Sequence, residues 1–286
     1  MVGARAWTYA DVAASLRMPT DADHKYSRGV VGVRTGSDRY PGAAVLGVEA
    51  AWRTGIGMVR YVGPAAAAAA VLARRPETVA GEGRVQAWLI GSGTDAAERA
   101  PAETEALRRL LAGEVPVVTD AGALDLAPGA TAPLVVTPHE REHATLRSAL
   151  GLSDAPSDAA EAKPDRAAQA VETAAALGGV VLLKGAETIV AGPDGDVVRV
   201  RAGTPWLATA GTGDVLGGVV AALVAGLAAV GDADQAGLVA AAASGAWLHG
   251  QAGARASREQ GGGPITALDV AAALPHVVGA VLSDRV

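Results

Sequence analysis

One unit recurs along the chain: a short apolar run, then a cluster of glycine and polar side chains, then a stretch of helical character. Val30-Val31-Gly32-Val33 leads to Gly36-Ser37-Asp38-Arg39-Tyr40, and Trp88-Leu89-Ile90 leads to Gly91-Ser92-Gly93-Thr94-Asp95. Val115–Val118 runs into Thr119-Asp120, Leu134-Val135-Val136 into Thr137-Pro138-His139-Glu140-Arg141-Glu142, and Val180–Leu183 into Lys184-Gly185. Runs this short, bounded by turn residues, read as buried strands. Val45–Arg53, Ala65–Ala73, Glu103–Leu111, Ala167–Leu177 and Gln235–Ala254 read as helices. Thr188–Ala191 and Asp196–Val200 flank Gly192-Pro193-Asp194-Gly195, a hairpin. Thr8 caps a short helix that closes before Pro19, and Thr266 caps a last helix to about Leu274. Pro156–Lys163 is polar and turn-rich, a surface excursion.

This alternation predicts an α/β architecture: a three-layer α/β/α fold with a central, mostly parallel sheet, in one domain over 1–286. Ligands of such sheets gather beyond the carboxyl ends of the strands. Every polar cluster named above falls there.

One loop stands apart. Thr204-Pro205-Trp206-Leu207-Ala208-Thr209-Ala210-Gly211-Thr212-Gly213-Asp214 runs directly into the apolar Val215–Val230. Glycines admit a ligand to the backbone, and a helix start offers free N–H groups to an anion. Asp214 suits such a place if it takes a proton from an attacking hydroxyl. A flexible turn capped by an acid is the plainer alternative. The spacing matches neither the P-loop nor the dinucleotide fingerprint.

Composition removes several classes of function. Without cysteine there are no disulfides, thiolate metal sites or cysteine nucleophiles within this chain. A net charge of −6 with no polybasic block argues against a nucleic-acid surface. Val215–Val230 is shorter than the roughly 20 residues of a membrane span and is flanked by Asp214 and Asp232, so it reads as a core helix. No signal-like apolar region opens the sequence, and a cytoplasmic protein with no membrane partner is expected.

Other candidates carry two readings each. Lys184 can meet a phosphate as a point charge with Gly185 and Thr188 beside it, or be an ordinary strand-end lysine. His139 and Glu142 can hold a metal-bound water or a ligand hydroxyl, or belong to a helix start with Thr137 as cap and Pro138 in first position. Asp120 can bind a ligand or a magnesium-bound water, or simply form a turn. His249, beside Trp247 in an apolar helix, reads as a satisfied core histidine.

In order, Gly36-Ser37…Tyr40-Pro41-Gly42-Ala43-Ala44, Gly91-Ser92-Gly93, Thr137-Pro138-His139-x-x-Glu142, Leu183-Lys184-Gly185-x-x-Thr188 and Leu207–Leu216 resemble the ADP/ATP-dependent NAD(P)H-hydrate dehydratases, of the ribokinase-like superfamily. The likeness covers roughly Leu16 to Leu274. It implies a lyase that returns hydrated NADH or NADPH to the working cofactor by phosphorylating the C6 hydroxyl and expelling phosphate, at the expense of ADP or ATP with Mg²⁺. By resemblance Asp214 is the catalytic base and a substrate contact, and Ala210, Gly211, Thr212 and Gly213 form the anion hole. Lys184, Gly185, Ala186, Glu187, Thr188 and Gly213 match nucleotide-binding positions. Gly42, Ala43, Ala44, Gly91, Gly93 and His139 match the side that receives the hydrate, and Glu142 meets the metal through water. Bacterial-type members favour ADP, the donor this chain suggests, and the family commonly forms homo-oligomers, tetramers among them. Two places depart from the pattern: Gly91-Ser92-Gly93-Thr94-Asp95 replaces Gly-Pro-Gly-Leu-Gly, and Arg141 replaces a glycine before the glutamate. A vitamin-alcohol kinase of the same superfamily and a catalytically silent nucleotide-binding protein are the competing functions.

Overall fold

The structure, a computed structural model, describes residues 3–152 and 165–284, so the Pro156–Lys163 excursion lies outside the described residues. Ten strands join in one sheet: Arg5–Ala6 (β1), Val30–Arg34 (β2), Met58–Tyr61 (β3), Val79–Ala80 (β4), Ala87–Ile90 (β5), Val117–Thr119 (β6), Leu134–Val136 (β7), Val180–Leu183 (β8), Thr188–Ala191 (β9) and Val197–Val200 (β10). Their spatial order is β1-β10-β9-β8-β7-β6-β5-β2-β3-β4. Only β9 runs against its neighbours, because it is the first arm of the predicted hairpin. The chain moves outward from β2 to β4, then returns to lay β5 on the other side of β2, with Val31 opposite both Val59 and Ala87. That reversal opens a crevice at the carboxyl ends of β2 and β5.

Nine helices are described: Tyr9–Ser15 (α1), Pro41–Thr54 (α2), Ala65–Arg74 (α3), Pro101–Leu111 (α4), Glu140–Ala149 (α5), Arg166–Leu177 (α6), Thr212–Val230 (α7), Gln235–Glu259 (α8) and Ala267–Ser283 (α9). Strand alternation assigns them to layers. On β8, Val180 and Leu182 pack with α2, α3, α7 and α8, whereas Val181 and Leu183 pack with α4, α5 and α6. A further cluster joins α1 and α9 to the outer faces of α7 and α8. The expected three layers follow from strands apolar on both faces, as β8 is at all of its positions.

Small residues set how close the helices come. A β-carbon on Gly218 of α7 would lie 2.3 Å from the Gly47 carbonyl oxygen of α2 and 2.9 Å from the Ala50 β-carbon. Gly217 and Gly47 both face Leu89 of β5, so α7 is seated over the sheet with its first turn at the crevice. By length and composition α7 is the one described helix capable of crossing a membrane, yet Val215–Val220 and most of the next turn are buried between α2 and α8.

Boundaries differ where tertiary packing overrides local preference. Helix α2 starts at Pro41 rather than Val45, since proline suits a first helical position. Helix α9 continues through Pro275 to Ser283 because Val277 and Val281 extend the buried stripe begun by Val270 and Leu274. Strands β1 and β4, of two residues each, are too short to show a period.

Candidate active site

Strands β8, β7, β6, β5 and β2 end side by side, and a single carboxylate ties four of these ends together. Asp120, directly after β6, is 3% exposed. Its Oδ1 accepts hydrogen bonds from Lys184 Nζ at 2.8 Å and Thr137 Oγ1 at 2.8 Å, and its Oδ2 accepts one from Ser92 Oγ at 3.1 Å. A buried carboxylate is stable only with such donors. Ser92 occupies the place of the proline in the related pattern, and its hydroxyl gives Asp120 a donor that proline lacks. Ala121, the next residue, has a φ of 45°, the one positive value among described non-glycine residues. Asp120 is thus neither a plain turn residue nor a free ligand group. It is the hub that fixes Lys184.

Lys184 also approaches Glu142 Oε2, at 3.7 Å. Burial draws its pKa down, but the carboxylates of Asp120, Glu142 and Asp214 outweigh that and leave it raised, so the ammonium persists. Glu142 is held by a capping box: its Oε2 accepts from the His139 amide at 2.8 Å, and His139 Nδ1 accepts from the Glu142 amide at 3.2 Å. The cap of α5 is therefore His139, not Thr137, whose hydroxyl is committed to Asp120.

The anion loop is built as a helix start in which the Thr212 amide donates to the Thr209 carbonyl at 3.4 Å, while those of Gly213 and Asp214 meet no backbone carbonyl. Gly211 caps α7 in a left-handed conformation, φ 87°, and no side chain caps the first turn. Thr212 Oγ1 donates to the carbonyls of Leu207 and Thr209 at 2.8 and 2.9 Å, which pins the loop. A β-carbon on Gly213 would lie 3.8 Å from Lys184 Nζ, so the loop and the lysine border one space. Asp214 stands in the first turn of α7. Burial and then the Asp120 charge push its carboxyl up to about 6, against the opposing pull of Lys184.

Lys184 and the anion loop edge a cavity of about 690 Å³, whose lining includes His139, Lys184, Gly185, Ala186, Thr188, Thr212 and Gly213. Glu187 is turned aside, with Oε1 accepting from Arg201 Nε at 2.8 Å. Gly42, Ala43, Ala44, Gly91 and Gly93 form a separate corner between β2 and β5. There a β-carbon on Gly93 would fall 2.4 Å from that of Ala43, so glycine is required. Ala43 and Ala44 are buried, Ala44 completely. His139, grouped with that corner by its motif, instead sits at the rim of the larger cavity. Asp95 is exposed, accepting from the Ala97 amide at 2.9 Å, and lines a second cavity with Gly36, Ser37 and Tyr40. His249 is not a satisfied core residue. It lines the cavity with Nε2 buried and unpartnered. Its apolar sequence neighbours gave no sign of this.

No group of three or more His, Asp or Glu side chains that could hold a metal exists among the described residues. Magnesium carried on phosphates needs only one or two carboxylates. Both oxygens of Asp120 are committed, and Glu142 Oε1, with His139 Nε2 at 3.6 Å, is the better placed to receive a metal-bound water.

A mostly parallel sheet with a glycine loop leading into an acid at a helix start defines a ribokinase-like protein. The fold is shared with an Enterococcus faecalis ribokinase-like superfamily protein, TM-score 0.77 at 21% identity over 97% of this chain and 96% of that one. It is also shared with the Bacillus subtilis ADP/ATP-dependent NAD(P)H-hydrate dehydratase co-crystallised with ATP/Mg²⁺, TM-score 0.82 at 27% identity over 98% and 100%. Residues 31–276 match the NAD(P)H-hydrate dehydratase family, and the chain belongs to that family. An ADP-dependent (S)-NAD(P)H-hydrate dehydratase of Neisseria meningitidis is 35% identical over 83% of this chain and 82% of its own length. The bifunctional NAD(P)H-hydrate repair enzyme Nnr of Mycobacterium tuberculosis is 44% identical over 75% of this chain and 45% of its own. The chain spans about half the length of such bifunctional relatives.

Proposed function

We propose that the chain dehydrates (S)-hydrated NADH or NADPH with ADP, or ATP in its place, as phosphoryl donor. The observation that carries this reading is the pairing of an ammonium and a raised carboxyl across the open amides of one helix start. In this reading the hydrate lies with its C6 hydroxyl at Asp214, beside the glycine corner of Gly42–Ala44, Gly91 and Gly93. The nucleotide occupies the cavity along Lys184–Thr188, its terminal phosphoryl group on the amides of Ala210–Gly213. Asp214 takes the hydroxyl proton as the oxygen–phosphorus bond forms and the bond to the nucleotide's leaving oxygen breaks. The phosphate then departs from C6, a proton leaves C5, and the ring double bond is restored. Lys184 and the loop amides stabilise charge on the transferring group because they are already fixed before it arrives. Magnesium on the phosphates would add charge neutralisation, met by Glu142 through water.

A base titrating near 6 is ionised at neutral pH yet still able to accept a proton, a balance that ordinary exposed aspartate lacks. The named activities of the Neisseria and Bacillus relatives support the same substrate and donor. Incubation with hydrated NADPH, Mg²⁺ and ADP or ATP restores the dihydronicotinamide absorbance. No restoration with either nucleotide refutes the proposal, and phosphorylation of a vitamin alcohol instead identifies a kinase.

A further inference from the structure

Among the described residues lining the large cavity, His249 alone keeps a buried polar side-chain atom with no partner. It stands on α8, is 8% exposed, and its Nε2 meets no hydrogen-bonding group. Such atoms are rare in native structures, because burial removes the water they would otherwise bind.

The ring is neutral, because burial lowers its pKa to about 4. A neutral imidazole offers one N–H and one lone pair, and no protein group is hydrogen-bonded to Nε2. His249 can therefore bond a ligand group in the cavity it lines.

Its position selects the ligand. On one side is the anion loop, through Thr212. On the other is an apolar stretch that includes Ala202, Leu207, Leu216 and Ala246. Gly250, the next residue of α8, lets the Ala202-Gly203 strand end come close, since a β-carbon there would stand 2.8 Å from the Ala202 carbonyl carbon. A nucleotide with its phosphates at Gly213 and Lys184 lays its nucleoside along that stretch, past the imidazole. We propose that His249 is a nucleotide-binding residue whose imidazole hydrogen-bonds the nucleoside, at a ribose hydroxyl or the exocyclic amine. The inference rests on the nucleotide reading of this cavity.

Calorimetric titration of the wild-type chain, His249→Gln and His249→Phe tests it with ADP, 2′-deoxy-ADP, 3′-deoxy-ADP and purine riboside 5′-diphosphate, which lacks the amine. In the wild type, the analogue missing the bonded group binds about tenfold more weakly than ADP. In His249→Phe, ADP weakens by a similar factor and that analogue no longer differs from it, whereas His249→Gln recovers part of the loss through its side-chain amide. If ADP binds the wild type but no analogue shows a His249-dependent loss, this inference fails and the nucleotide reading stands. If neither ADP nor ATP binds, both fail. Should the phenylalanine variant not fold, the ¹⁵N resonance of wild-type His249 Nε2 decides: it shifts on ADP addition if the bond forms, and an unmoved resonance overturns the proposal.

Discussion

Asp214 is placed where its chemistry and its stability pull in opposite directions. In the unfolded chain it titrates near 3.8, and in the folded protein near 6. Between those values the native state binds a proton that the unfolded state has released, so stability falls as pH rises through the window. Above about pH 6 the ionised carboxylate costs the fold about 3 kcal/mol. Asp214→Asn should therefore raise the melting temperature at pH 7.5 in roughly neutral buffer, with the advantage vanishing below about pH 4. The same variant should lower turnover by about 10²–10⁴-fold while ADP binding persists, as expected for a lost general base. The wild-type rate should fall with unit slope below about pH 6 as the base is protonated. Replacing Lys184 by methionine removes the charge that lowers Asp214, so the acid limb should move upward in a pH–rate profile. A limb that stayed or moved down would mean Lys184 does not tune the base.

Among elements, α7 and α2 are coupled by glycine. Gly218→Ala would place a methyl group against the Gly47 carbonyl, a backbone atom that can yield only if the helices part. Overpacking of this kind costs about 1–3 kcal/mol, and here the displaced helix carries Asp214. We expect a lower denaturation midpoint and a turnover loss larger than the stability loss explains, read from urea titration and rate measured on one preparation. Much at this scale was legible in the chain: β8 from four aliphatics in a row, the hairpin from Gly192–Gly195, α1 from the Thr8 and Asp11 spacing. The continuation of α9 beyond Pro275 was not, since only burial of Val277 and Val281 offsets the lost amide. Within the site, Lys184 declared itself as a charge ending an apolar strand. The Asp120 hub stayed hidden because Ser92, Thr137 and Lys184 come from three other strands, and no local spacing records their convergence.

For the whole molecule, binding and folding are linked through the crevice. A ligand that binds only the native state stabilises it by about 2.7 kcal/mol at a hundredfold excess over its dissociation constant. ADP at that level should raise the melting temperature by several degrees in a chain of 286 residues. Inorganic pyrophosphate at the same concentration provides the control for phosphate contacts alone. The interior of this molecule also has a directional response to change. It contains no phenylalanine, and its helices meet through glycine and alanine at Gly47, Gly218 and Gly245. Trimming such a side chain removes little, because little is there. Enlarging one strikes main chain within a bond length or two, as the contacts of Gly218 and Gly250 show. In a saturation library the deleterious substitutions in the helical layers should therefore cluster on gains of volume rather than losses, the reverse of what a core of large aromatic residues would give.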